Sequence, residues 1–324
     1  TRGLPMTLIL LGVGILTLFL ALRLRTRYRL LNRVVVPITF SLAILLLFSG
    51  GYHFWYCHRP VPKSVEEVLF PGVTYTRDVR SSPRAVIIHV VTLDLESAGA
   101  RFLVTPGSPR DGRQLRARST SRFLEEFGVQ IAVNGGFFHP WYAKGPLSYY
   151  PRQGDPVDPV GFTMSRGKPY MALKPRFTPL YLSDHGRVSI GRPLPDCQNA
   201  LSGKPLLVED GRVSRAVESR PSPEPPNPRT AVATDESGRH LMLIVVDGRQ
   251  PNYSEGVTIR ELARIAIQYG AHRALNMDGG GSSTLVVKRP DGQTALLNSP
   301  IHGHVPPGRE RPVATHLGIF VGAR

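Results

Sequence analysis

Two long apolar runs near the start set the first constraint on this chain. Residues 4–22 and 34–56, 19 and 23 residues long, contain no Asp, Glu, Lys or Arg. Each is long enough to cross a hydrocarbon core of about 30 Å as a helix, and in hydrocarbon a helix satisfies its own backbone polar groups. Both are expected to be transmembrane helices. The linker between them carries five arginines, Arg23, Arg25, Arg27, Arg29 and Arg33, and no acid, which places it in the cytoplasm by the positive-inside rule. Everything after residue 57 then lies outside, with the lipid bilayer as a partner. Tyr52, His53, Phe54, Trp55 and Tyr56 close the second run as an interfacial belt. Arginines rather than a small-residue cleavage site follow the first run, so a cleaved signal peptide fits poorly.

The expected organisation is an anchor over 1–60, a linker and lead-in over 61–84 that begins with the stiff Pro60-Val61-Pro62, and one domain over 85–324. The chain of 324 residues has a formal net charge of +16, but residues 1–60 hold seven arginines, no lysine and no acid. The remainder has 33 bases against 24 acids. Those bases are dispersed among acids, which argues against nucleic-acid binding. Cys57 and Cys197 are the only cysteines, so neither a disulfide framework nor a cysteine zinc site underlies the fold; pairing between the two stays open.

Within the domain, residues 84–95 (RAVIIHVVTLDL) are β-branched and alternate, with 101–105 as a short partner strand. A helix is expected over 119–127, with hydroxyls at its start and Gly128 at its end. A short strand over 130–133 delivers Asn134-Gly135-Gly136-Phe137-Phe138, and residues 141–159, rich in Pro, Gly and Tyr, suit a long surface loop. A proline-rich segment (RPSPEPPNP, 220–228) leads to Arg229-Thr230 at the start of a strand over 231–234. The apolar run 240–246 ends in Asp247-Gly248-Arg249. A capping box at Thr258 and Glu261 then opens a helix that Gly270 stops.

The helix feeds Asn276-Met277-Asp278-Gly279-Gly280-Gly281-Ser282-Ser283-Thr284, set between apolar strands at 273–277 and 284–287. Three glycines in a strand-to-strand turn allow positive φ and close approach of a ligand, while Asp278, Ser282 and Ser283 supply polar groups. Common phosphate-binding loops run from a strand into a helix; here a β-branched run follows. If the strands before Asp247 and Asp278 are parallel with a right-handed crossover, both carboxylates leave the sheet at one edge. Paired carboxylates of unequal pKa suit glycosidic cleavage.

Seven motifs in order, NGGFF (134–138), PLLVEDG (205–211), PRTA (228–231), VVDGR (245–249), TIRELA (258–263), LNMDGGGSSTLVV (275–287) and ERPVA (310–314), together resemble the phosphodiester glycosidase family over roughly residues 85–322. The resemblance implies an α+β domain, a mixed β-sheet with few helices, that hydrolyses an N-acetylglucosamine-like sugar from a sugar-1-phosphodiester; no clustered metal-ligand motif is present in the sequence, and no cofactor or metal is expected. The family's bacterial members labelled as exopolysaccharide biosynthesis proteins imply envelope or exopolysaccharide metabolism, and the apolar runs, which lie outside the resemblance, place the domain outside a bacterial cytoplasmic membrane. On its motif positions, Asp278 is the expected catalytic carboxylate and Asp247 its acid/base partner or orienter. Arg229 and Arg249 are expected to clamp phosphate, and Asn134 to contact sugar. Gly135, Thr230, Gly279, Gly280, Gly281, Ser282, Ser283 and Arg311 complete the expected substrate site. His302 or His304 is a candidate general acid, and Phe137, Phe138 and Leu285 are expected in the core. Two other readings stay open: a non-catalytic glycan-binding protein, and a metal-dependent phosphodiesterase using Asp247, Asp278 and histidines.

The five-arginine linker generates a topology prediction, because carrying those charges across a bilayer is disfavoured. Alkaline phosphatase fused after residue 324 should be active and a fusion within residues 24–32 inactive; the opposite pattern would overturn the orientation.

Overall fold

The computed structural model describes residues 4–23, 29–109, 112–145, 148–303 and 306–322. It forms two compact units, Thr1–Pro62 with Gln250–Tyr253, and Lys63–Arg249 with Ser254–Arg324.

In the first unit, helices Leu4–Arg23 and Arg29–Cys57 pack against one another. Small residues mark the contact: a Cβ on Gly14 would lie 3.0 Å from Leu47, and one on Gly50 would lie 2.9 Å from Leu11. Thr7 Oγ1 and His53 Nδ1 add a hydrogen bond of 2.8 Å. Apolar side chains such as Ile9, Ile15, Leu45 and Phe48 face outward. Among the described residues, only the stretch Arg33–Cys57 is long and apolar enough to cross a membrane; the apolar part of the first helix, Met6–Leu20, is shorter than that.

The second unit is sheet-dominated with few helices, an α+β domain built in layers. Its eight-stranded sheet is antiparallel throughout, in the order Val65–Phe70, Val73–Arg80, Val86–Asp94, His240–Val246, Arg229–Thr234, Arg273–Asn276, Leu206–Glu209, Arg212–Val213. Both faces are buried at its centre. Along the central strand, Leu241, Leu243 and Val245 enter the core shared with the other sheets, while Met242, Ile244 and Val246 pack against helix Ile259–Gln268. Two-residue alternation with apolar residues on both sides is what reads in sequence as an unbroken hydrophobic run.

A five-stranded antiparallel sheet, in the order Thr294–Leu296, Leu285–Lys288, Ile131–Asn134, His316–Phe320, Arg101–Val104, lies across that core. Its outer face carries helix Thr120–Phe127 through Phe123 and Leu124. A second five-stranded sheet over 163–203 adds Leu180, Leu182, Ile190 and Leu201 to the shared core. The lead-in 61–84 contributes the first two strands at one side of the main sheet, and the loop over 141–159 is folded into short strands such as Tyr149–Tyr150 and Pro156–Pro159.

The helix ends follow local chemistry. Ser119 caps one helix by accepting from the Arg122 amide, and Gly128 ends it in the left-handed region. Thr258 and Glu261 form a reciprocal capping box on the other. Strands His240–Val246 and Arg273–Asn276 are not neighbours: Arg229–Thr234 lies between them, antiparallel to both. They therefore run in the same direction, and their C-terminal ends meet the N-terminal end of the strand between. Asp247, Asp278 and Arg229 come to one edge of the sheet in this way.

Candidate active site

The glycine turn carries the chain from the eight-stranded sheet to the five-stranded one. It contains a 3-10 turn, Gly280–Ser282, rather than a simple strand-to-strand bend. Only Gly280 has positive φ (62°). The other two glycines answer a different need, close approach. A Cβ on Gly279 would sit 3.0 Å from the Pro228 carbonyl oxygen, on Gly280 2.9 Å from Arg249 Nη2, and on Gly281 2.6 Å from Arg311 Nη2. Arg229 lines the Gly279 side in turn, with its Cα 3.7 Å from the same added Cβ. Three successive glycines thus lie against three different arginines.

Asp278 sits at the head of this turn and keeps part of its surface open. Its Oδ1 accepts from the Gly279 amide (3.0 Å) and its Oδ2 from the Ser282 hydroxyl (2.6 Å). Burial pushes its pKa up; the Ser282 hydroxyl, the Arg311 charge, the Gly279 amide and the Arg249 charge oppose that rise. Burial also lowers the pKa of Arg249 and Arg311, and in both the negative charge of Asp278 works the other way. Arg311 is buried, donates from Nε to His302 Nδ1 (3.2 Å) and from Nη1 to Ser282 Oγ (3.4 Å), and lies over the Trp141 ring at 5.1 Å. Arg249 adopts φ 58°, a left-handed backbone that a non-glycine residue holds only when its surroundings impose it. Its Nε donates to Asn227 Oδ1 (3.0 Å).

Asp247 has another environment. It is 1% exposed, and its oxygens accept from His89 Nε2 (3.1 Å), Asn298 Nδ2 (3.0 Å) and the Ser299 amide (2.9 and 3.2 Å). Tyr75 lies 2.8 Å from the other nitrogen of His89. Asn298 also donates to the Ser283 carbonyl (3.1 Å) and accepts from the Leu285 amide (2.8 Å), so this carboxylate is tied to the back of the glycine turn. Its hydrogen-bonding positions face inward.

Asn134 is likewise enclosed, at 1% exposure. Its Nδ2 donates to the Asp278 carbonyl (2.7 Å), and its Oδ1 accepts from Thr230 Oγ1 (2.8 Å) and the Thr284 amide (3.1 Å). Thr230 Oγ1, whose one proton goes to Asn134, also lies 3.2 Å from Ser283 Oγ. Gly135 accepts from the Asp278 amide (3.2 Å), and a Cβ there would fall 2.4 Å from Thr315 Oγ1. Asn134, Gly135, Thr230 and Ser283 hold the turn from behind. Arg229 is half-buried, donating to Glu224 (3.0 Å) and the Val257 carbonyl (3.1 Å). Phe138 and Leu285 are core, whereas Phe137 lines a cleft.

His302 is buried edge-on against Tyr149, at 4.8 Å between ring centres, and burial with the Arg311 and Arg309 charges brings its pKa down to about 4. Because Nδ1 accepts from Arg311, Nε2 carries the proton of the neutral ring; that atom is buried with no partner among the described residues. His304 lies outside the described residues. The sequence alone does not single out His89, Asn298, Trp141, Tyr149 or Glu224. His89 has a signal of its own, a lone titratable residue within a run of β-branched ones; Asn298 has none. Among the described residues no three His, Cys, Asp or Glu side chains converge to hold a metal.

The family model for phosphodiester glycosidases matches residues 127–320. A curated bovine (Bos taurus) relative, an N-acetylglucosamine-1-phosphodiester α-N-acetylglucosaminidase, is 26% identical over 198 residues, covering 57% of this chain and 36% of its own length. The chain thus spans about a third of that relative. Three solved structures share the fold. A hypothetical protein from Synechocystis has a TM-score of 0.60 at 16% identity, over 81% of this chain and 64% of that one. A zebrafish N-acetylglucosamine-1-phosphodiester α-N-acetylglucosaminidase catalytic domain, auto-inhibited by its pro-peptide, has a TM-score of 0.53 at 20% identity, over 82% and 85%. An exported protein of Burkholderia pseudomallei, so described only by inference, has a TM-score of 0.54 at 16% identity, over 75% of each chain. With the family model covering more than half of its residues, this chain belongs to the phosphodiester glycosidase family.

Proposed function

We propose that the chain is a membrane-anchored hydrolase that cleaves an N-acetylglucosamine-like sugar from a sugar-1-phosphodiester, acting outside a bacterial cytoplasmic membrane in envelope or exopolysaccharide metabolism. The observation that carries the chemistry is Asp278, a half-buried residue whose carboxylate is fixed by the Gly279 amide and the Ser282 hydroxyl, within the fields of Arg249 and Arg311. The apolar stretch Arg33–Cys57 supports an anchor; a second span over 4–22 is part of the same proposal.

In the proposed reaction the bond between the anomeric carbon and the phosphate oxygen breaks. The electron pair stays with that oxygen, and the hydroxyl of water ends on the anomeric carbon. Asp278 acts at that carbon, directly or by taking a proton from the water. The diester carries one negative charge, and the phosphomonoester released approaches two at neutral pH, its second pKa being about 6. Charge therefore grows on the leaving phosphate as the bond breaks. Fixed cations at that point bind the transition state more tightly than the ground state. Arg249 and Arg311 hold the cationic positions at the turn, with Arg229 beside them, and such a leaving group needs little help from a general acid. We therefore assign Asp247 an orienting role, and Asn134, Thr230 and Ser283 the task of holding the turn.

Two variant pairs test the reading. Asp278→Asn keeps the shape and removes the charge, so kcat on an N-acetylglucosamine-1-phosphodiester should fall by about 10²–10⁴. The folded-state pKa of Asp278 lies above its ordinary value. The group therefore favours the fold most in acid, and that stability is lost as pH rises through the raised pKa. At pH 7 the variant should accordingly melt no lower than the parent. A lowered melting temperature with normal kcat would reduce Asp278 to a turn cap. Gly281→Ala should displace the Arg311 guanidinium and lower kcat/KM at least about tenfold, a loss of roughly 1.4 kcal/mol in transition-state binding. Gly292→Ala, at φ 82° in open space, should lower the melting temperature by strain alone and keep its turnover. Equal kinetics in the two glycine variants would separate the turn from the chemistry.

A further inference from the structure

Beside the glycine turn, on the Arg229 side, the second unit has a cleft of about 850 Å³, within the size range of small-molecule sites. It is continuous with the turn through three segments. Arg229 lines the cleft and also backs Gly279. Asn276, on its wall, lies two residues before Asp278. Phe137, also in the lining, follows the Asn134–Gly136 segment whose Gly135 carbonyl accepts from the Asp278 amide.

The lining includes Arg176, Lys204, Arg220 and Arg229 and no carboxylate residue. Glu224, outside the lining, pairs with Arg220 and Arg229 at 3.0 Å each. Arg176 and Lys204 form no ion pair among the described residues; the Lys204 ammonium lies 4.4 Å from the Phe177 ring centre and 5.9 Å from that of Phe137. Asn276 is only 4% exposed, and its Nδ2 donates to the Lys204 carbonyl at 2.7 Å. Its Oδ1 is buried without any donor among the described residues. A buried acceptor left unpaired costs free energy unless a ligand supplies the donor.

We propose that this cleft is the subsite for the aglycone of the phosphodiester, and that it selects a polyhydroxylated alcohol bearing a further phosphate. This rests on the glycosidase reading of the turn. A hydroxyl of the aglycone donates to Asn276 Oδ1, its carbon skeleton lies against Phe137 and Phe177, and its second phosphate meets Lys204 and Arg176. The arginines along the turn then run in substrate order. Arg311, under Trp141, and Arg249 take the scissile end, and Arg229 marks the entrance to the aglycone cleft.

The test uses the full chain in detergent micelles and two probes, N-acetylglucosamine-α-1-phosphoglycerol and the same compound phosphorylated on the terminal glycerol hydroxyl. The parent should hydrolyse the phosphorylated probe with kcat/KM at least about tenfold higher, through a lower KM. That preference should shrink as salt is raised, because both cations are exposed. In Arg176→Ala/Lys204→Ala it should fall below about twofold, with hydrolysis of the unphosphorylated probe and the melting temperature unchanged. Calorimetric titration with glycerol 1,3-bisphosphate, which needs no turnover, should show binding to the parent and its loss in the double variant. Equal hydrolysis of the two probes by the parent, or bisphosphate binding that survives the double substitution, would overturn the subsite and leave the glycosidase reading standing. Bisphosphate binding lost in the variant, with neither probe hydrolysed, would support the cleft and defeat the glycosidase reading.

Discussion

The site depends on one buried side-chain amide. Asn134 ends a strand of the five-stranded sheet, and three of its side-chain hydrogen bonds reach Thr230 in the eight-stranded sheet, the Asp278 carbonyl at the head of the turn and the Thr284 amide at its foot. It fastens the two sheets together where the glycine turn crosses between them. A hydrogen bond of this kind contributes about 1 kcal/mol net, but removing one partner strands the other at about 1–3 kcal/mol each. The crossing is therefore held in one geometry. On that geometry rests the match of Gly279, Gly280 and Gly281 with Arg229, Arg249 and Arg311, since an arginine can approach a backbone so closely only where no Cβ intervenes.

The two carboxylates show how one sheet edge yields two roles. They leave strands that run in the same direction on either side of Arg229–Thr234. Asp247 meets His89, Asn298 and the Ser299 amide and has no lone pair directed outward. Asp278 meets one backbone amide and one hydroxyl, is half-buried, and lies within the fields of two cations. The proposed division, Asp247 orienting and Asp278 reacting, rests on this difference in neighbours rather than on place in the fold.

Much of this edge is legible in sequence because its signals are local. The run 240–246 reads as a strand without knowledge of its partners, and Thr258 with Glu261 announces a helix start by the bonds those two side chains can make. The glycine triplet between two apolar runs marks the turn. What stays hidden is non-local. The insertion of Arg229–Thr234 between the strands bearing the carboxylates, the two strands within 65–80 and the sheet over 163–203 arise from pairing, which period-two patterning does not specify. Asn134 reads as a sugar contact because nothing local shows that both ends of its amide are committed inside. Asn298, 51 residues from Asp247, carries no pattern at all. The same holds for the membrane segment: both apolar runs form helices, yet only Arg33–Cys57 has the described length and composition to cross a bilayer.

The chemical claim at the centre is that Asp278 and the arginines around the glycine turn break a bond at the anomeric carbon rather than at phosphorus. Hydrolysis of N-acetylglucosamine-α-1-phosphoglycerol in ¹⁸O-labelled water, with both products analysed at once by mass spectrometry, decides between these. Cleavage at carbon places the label in the anomeric hydroxyl of the free sugar and leaves the glycerol phosphate unlabelled. Label in the phosphomonoester product would mean attack at phosphorus, and would contradict the proposed roles of Asp278, Arg249 and Arg311.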